Sequence, residues 1–359
     1  MKTAKRKLVF PVVLAALALL PVSVHSEEAT KVSVTFLDRA AAATAIVDEK
    51  PEPYFSVLQP FEMIAKTGGK VTAKDLSDQR NECRKIYQAS VHEFTEEEKT
   101  AIRDTVVRIH DALKEQYPLF AETPWSFLKL DRSIEGGMAH TRGAHIVIPD
   151  SVARKFVDAR AHGVDPLRSS LSRKLVHEQS HVVQRAHPDL FAEFYTQTWG
   201  FLRAKKLPSC PWLDKVQIVN PDGADVGWVF PAKDAGATTY YQPLVVLRDG
   251  VTAPRMPQDF ETIGLVMEKK GDSFALRIGK DGKPAMCPLD GIPPWQAAFG
   301  DVEENFHPNE IFAVLFSNLV MKDHLGEEGP GLEPCTTDLT KLREWCLKRF
   351  GVGSAAQRK

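Results

Sequence analysis

His177-Glu178-Gln179-Ser180-His181 sets two imidazoles four residues apart with a carboxylate beside the first. On a helix, positions i and i+4 share one face about a turn apart, so both rings can reach one metal ion while Glu178 flanks a water next to it. The chemistry this arrangement suits is metal-assisted hydrolysis. A catalytic zinc takes three protein ligands and keeps one position for water, so one ligand must come from elsewhere in the chain.

Three residues compete for that place. Glu310 follows Pro308 at the start of a helix whose neighbours Ile311, Phe312, Val314 and Leu315 are apolar, which puts its carboxylate in a largely buried segment. Its bland role is an acid favoured at a helix N-terminus, but position 307 lacks the Ser or Thr of a capping box. His187 has the spacing of the longer HExxHxxGxxH motif; Gln184 stands where that motif needs glycine, and no Met-turn follows. Glu193 lies on the following helix, where glutamate is otherwise surface. For the donor that a developing oxyanion needs, Tyr240, Tyr241 and His307 are candidates, with His307 and Tyr241 preferred. Asp189 and Asp222 are candidates to orient the ligand rings.

The elements that carry these residues follow from periodicity. A helix from Asp165-Pro166 to about Arg185 carries the pentapeptide, with Leu171, Leu175, Val176, Val182 and Val183 on one side and the histidines on the polar side with Ser170, Arg173 and Gln184. His187-Pro188 ends it, and a second helix runs from about Asp189 to Trp199. Upstream, Thr95 and Glu98 form a capping box before an apolar stripe of Ala101, Ile102, Val106, Ile109 and Leu113. Ser126 to Leu130 and His145 to Ile148 read as strands, the latter closed by Pro149-Asp150. The stretch from about 216 to 282 is β-rich, with a hairpin turning at Lys269-Lys270-Gly271-Asp272. Pro308 opens a further helix to about Met321, and a last one spans about Thr337 to Phe350.

Residues 1–26 read as a cleavable signal peptide: Lys2, Lys5, Arg6 and Lys7 precede the apolar run Leu8 to Val24, and small Ser26 marks the cleavage point. A secreted or periplasmic chain is therefore expected, with no membrane association after cleavage. The 359 residues carry 46 basic and 47 acidic side chains. Removing the leader takes four bases and leaves a charge of about −5. A mildly acidic chain without a basic patch gives no reason to expect nucleic acid as partner. The expected organisation is a helical segment over 27–94, a catalytic domain over 95–330 with its β-rich insertion, and a C-terminal helix and tail over 331–359. Of the five cysteines, Cys335 with Cys346 is the preferred pair, Cys210 with Cys287 a second, and Cys83 is left over.

The pentapeptide, Pro188 with Tyr195 and Trp199-Gly200-Phe201, Asn220-Pro221-Asp222, and His307-Pro308-Asn309-Glu310-Ile311 together resemble the gluzincin type of zincin metallopeptidase. The likeness is to secreted bacterial members with a distant glutamate ligand, and it covers roughly 165–320. It implies an α+β fold: a helix-rich zincin-like domain with a small, mainly antiparallel sheet beside the active-site helix. It further implies one Zn2+ on His177, His181 and Glu310, with Glu178 as the base that activates water against peptide bonds of a peptide or protein substrate. The segment from His140 to Pro149 takes the place of the edge strand on which zincins lay an extended substrate; as plain residues, His140 and His145 are ordinary strand and loop positions. Glu310 lies about 130 positions beyond His181, farther than in thermolysin-like members. Two other readings stay open: an inactive zincin-like binding protein, and a metzincin-like site that uses His187.

Overall fold

The computed structural model describes residues 32–165, 169–223, 227–234, 236–325 and 339–351. The leader and Cys335 lie outside them, and so does the expected Cys335–Cys346 pair.

The first sheet is built from β1 (Val34–Phe36), β2 (Val91–His92), β3 (Trp125–Leu130), β4 (His140–Arg142) and β5 (His145–Pro149). Its order is β1-β3-β5-β4, with β2 also paired to β3. β1, β3 and β5 run parallel, while β4 returns antiparallel through a hairpin whose Gly143 takes φ 55°. Alternation along these strands splits the core in two. Phe127, Ile146 and Ile148 face one cluster, whereas Leu128, Leu130 and Val147 face the other. Helices α1 (Arg39–Ala45), α2 (Pro60–Lys66) and α3 (Leu76–Ala89) cover the second face. The stretch expected as a separate helical segment over 27–94 thus supplies two strands and one whole layer to the sheet.

On the first face lie α4 (Glu96–Leu113), α5 (Pro118–Ala121), α6 (Asp150–Ala161), α7 (Ser170–Ala186) and α8 (Pro188–Gln197). α4 begins at the expected capping box, Thr95 accepting from the Glu98 N–H and Glu98 from the Thr95 N–H. α7 starts at Ser170, later than the Asp165-Pro166 signal suggested; Asp165 instead pairs with Arg108 of α4.

A second, antiparallel sheet follows, from β6 (Leu202–Arg203) and the one-turn α9 (Leu213–Val216) through β7 (Trp228–Asp234), β8 (Ala237–Leu247), β9 (Phe260–Lys270), β10 (Ser273–Leu276) and β11 (Met286–Pro288). The architecture is α+β, but the antiparallel sheet is this β-rich region. The sheet beside the motif helix is mixed, with parallel inner strands, because pairings between residues far apart in the chain leave no local pattern. Cys210 and Cys287 are both free thiols, so the second expected disulfide is absent.

Last come α10 (Pro293–Phe299), α11 (Pro308–Val320) and α12 (Thr340–Phe350). α11 is buried nearly all round, as its unbroken apolar sequence requires, and packs along α7. No helix among the described residues is long and apolar enough to cross a membrane.

Candidate metal centre

α7 carries its apolar side chains Leu175, Val176 and Val183 into the core, as its periodicity predicts. Its polar side is not open, however. Ser172, Glu178, Gln179, Ser180, His181 and Gln184 are all buried, because α11 lies along the His181 side while α4, α5 and the first sheet pack round the rest of the helix. Burying so many polar groups is costly unless each finds a partner. Ser180 donates to the Val176 carbonyl at 2.7 Å, and the Gln179 amide donates to the Thr123 carbonyl at 3.1 Å.

His177, His181 and Glu310 converge across the α7–α11 contact. The two ring Nε2 atoms are 3.1 Å apart, and Glu310 Oε2 is 3.4 Å from His177 Nε2 and 3.2 Å from His181 Nε2. Three donor atoms bound to one tetrahedral zinc at its usual bond lengths stand about 3.3 Å from one another. The spacing therefore fits a shared cation, and these residues form a candidate metal-binding group. His187, at the C-terminal cap of α7, is not among them, and Glu193 is paired with Arg349. Electrostatics agrees with a cation site. Burial alone would push both histidines down, but the Glu310 carboxylate holds them up. Burial would likewise push Glu310 up, yet the two rings hold it well below the usual carboxylate range.

The neighbours of the triad fix its geometry. His181 Nδ1–H donates to Gln184 Oε1 at 2.8 Å, while the Gln184 amide donates to the Asn309 carbonyl at 2.9 Å. The residue that spoiled the metzincin spacing is thus what orients a ligand ring. Asn220 donates to Glu310 Oε1, leaving Oε2 for the two rings. His307 caps α11 by accepting from the Asn309 N–H at 3.2 Å. Asn309 in turn donates from its amide to the Asp222 carbonyl at 3.2 Å. Asp222 does not orient a ring; its Oδ1 accepts from the Thr141 hydroxyl at 2.9 Å and from the Thr141 N–H. Asp189 is exposed in the first turn of α8. Of these supporting residues, the sequence shows Asn220 and Asn309 only as parts of a likeness, and Gln184 only as a neighbour of the histidines that stands where a metzincin has glycine.

A cavity of about 550 Å³ opens onto this group. α7, α11 and the segment before β4 form one side, and residues 218–223, 243–245, 256–257 and 260–262 of the β-rich region form the other. Glu178 lines it. Burial, then the nearby Asp222 carboxylate, push Glu178 up to about 8, and its Oε2 has no hydrogen-bond partner. A buried, unsatisfied carboxylate oxygen next to a metal-binding triad is the position a general base requires. His307 lines the cavity. Tyr241 does not: it packs against the main core, while Pro243, Leu244 and Val245, farther along β8, reach the cavity. β4 is an edge strand, as expected from the His140 segment, yet its outward Thr141 N–H is already taken by Asp222.

Compared with protein families, with curated proteins and with solved structures, the chain finds no match in any of the three. The reading of the centre rests on its own chemistry.

Proposed function

We propose that the protein is a zinc-dependent metallopeptidase of zincin type, secreted or periplasmic once its N-terminal leader is removed. The observation that carries the proposal is the convergence of His177, His181 and Glu310 at the edge of a cavity that also holds the unpartnered Glu178 carboxylate. Two neutral imidazoles and one carboxylate are a donor set that suits zinc. When bound, the ion supplies a Lewis acid that acidifies a water and polarises the substrate carbonyl.

The chain's own residues do the rest. Glu178 takes the proton of the attacking water at its free oxygen and returns it to the departing amine. Its carboxyl, held up by burial and by Asp222, has the high proton affinity that this shuttling uses. Gln184 holds the His181 ring in the tautomer that presents Nε2 to the metal, and Asn220 holds Glu310. His307, on the cavity wall, is the side chain assigned to stabilise charge on the substrate oxygen.

Glu178→Gln should keep about one zinc per chain by mass spectrometry while lowering peptide hydrolysis by roughly 10²- to 10⁴-fold. Glu310→Ala should lose the metal and His187→Ala should keep it. The reverse stoichiometry sinks the assignment. A wild-type protein that holds zinc but cleaves nothing in a broad peptide library is a binding protein instead.

A further inference from the structure

We propose that Glu304 is a specificity-determining residue that receives a cationic amine of the substrate beside the scissile bond, an inference that rests on the peptidase reading above. Glu304 lines the cavity, and its Oε2 is 3.6 Å from His177 Nε2. Its backbone takes φ 53°, in the left-handed region where a residue with a Cβ is disfavoured. Among the described residues only Glu135 shares that feature without being glycine. Backbone held at such a cost beside a reactive centre is a mark of function. Here the strained residue presents a carboxylate to the cavity mouth, its side chain 53% exposed.

Of the other cavity carboxylates, Glu178 is the proposed base, Asp222 accepts from Thr141 and Glu261 is paired with Arg248. Glu310 belongs to the metal group, Glu135 is paired with Lys66, and Glu303 with Arg173. The recorded ion pair of Glu304 is with His177 alone. A metal on His177 Nε2 would remove the proton that this contact needs, and Lys174, on the same lining, attracts the carboxylate only from beyond ion-pair distance. On the same cavity lining, His140 is 2% exposed, and burial pushes its ring toward the neutral form. Its Nδ1–H points to the Met138 carbonyl at 3.2 Å, while Nε2 has no partner and only a lone pair to offer. A carboxylate and a bare acceptor on one cavity lining both call for donors.

Distance narrows the source of the amine. An extended chain rises about 3.3–3.6 Å per residue, so a group on Glu304 lies within about one residue of a carbonyl held at the triad. The α-ammonium of the residue that carries this carbonyl meets the requirement, as does a lysine side chain that folds back from the next position.

The test uses the zinc-loaded Glu178→Gln protein and calorimetric titration with a neutral alanine-rich hexapeptide, its N-terminus free or acetylated. The acetylated peptide is also made with lysine or norleucine at each position in turn. Loss of one charge-assisted hydrogen bond weakens binding by about 10- to 100-fold. That preference should appear for the free amine, or for lysine, and should vanish in the Glu178→Gln/Glu304→Gln protein with zinc content unchanged. The two arms tell a terminal from a side-chain amine. Equal binding of all peptides, no binding of any, a preference that survives Glu304→Gln, or loss of zinc in that variant overturns the proposal. Failure of the peptidase reading shows separately, as wild-type protein that hydrolyses none of these peptides.

Discussion

Gln184 does the most work that its type alone does not announce. It is 8% exposed and spans from the His181 ring to the α11 backbone, so a ligand tautomer and a helix–helix contact depend on one amide. Replacing it with leucine keeps the volume and removes both bonds. Loss of such an outer partner typically lowers metal affinity 10- to 100-fold. Gln184→Leu should therefore give up zinc to a competing chelator at correspondingly lower concentration; unchanged affinity would remove Gln184 from the centre. This role was illegible beforehand because its partner, the Asn309 carbonyl, is backbone on a helix far along the chain. The members of the candidate metal group were legible: His177 and His181 by spacing, and Glu310 as an acid lodged in an apolar segment.

Elements with a local signal were equally legible. The Thr95–Glu98 box, the apolar stripe of α7, Pro308 at the head of α11 and the turn at Gly271 each act within a few residues. α6 was missed because Pro149-Asp150 reads as a strand stop, although the same Pro149 serves as the helix cap. The parallel pairing of β1, β3 and β5 was missed because nothing in one strand names its neighbour. α12 illustrates a tertiary role that sequence placed but did not explain. Phe350 is fully buried and meets Phe191, Phe316 and Trp345 at ring centroid distances of 6.1, 5.6 and 5.4 Å, bracing α11 against α8. Phe350→Ala should cost about 3–5 kcal/mol in chemical denaturation, the usual range for a buried phenylalanine. A loss below 1 kcal/mol would mean that α12 does not support the carrier of Glu310.

For the whole molecule, the cavity depends on three regions held together by buried polar groups. Lys66 donates to Glu135 at 3.1 Å and to the Val219 carbonyl at 2.9 Å, while Glu62 accepts from the Val219 N–H and, at 2.8 Å, from the Gln59 N–H. Arg185 of α7 donates to the Pro221 carbonyl at 2.8 Å and to Glu52 at 2.9 Å. Burial pushes Glu62 up to about 7 from an ordinary 4.5. The folded protein therefore binds this proton more tightly than the unfolded chain, and stability falls as pH rises from 4.5 through 7. The full effect is about 3 kcal/mol. Glu62→Gln should gain on wild type by up to that amount between pH 5 and pH 8 in urea denaturation. A difference that is flat with pH would refute the assignment.

The distance along the chain between His181 and Glu310 has a consequence in time. Ribosomes add roughly 5–20 residues per second, so the histidines precede their carboxylate by on the order of ten seconds. Through that interval a growing chain has two imidazoles and a base on a helix that still lacks its partner α11. The partial chain can hold a metal only weakly, and the wall contributed by residues 218–262 is also still arriving. The candidate metal group is complete only once Glu310 has been made, so on the proposed peptidase reading no half-built hydrolase acts before that point.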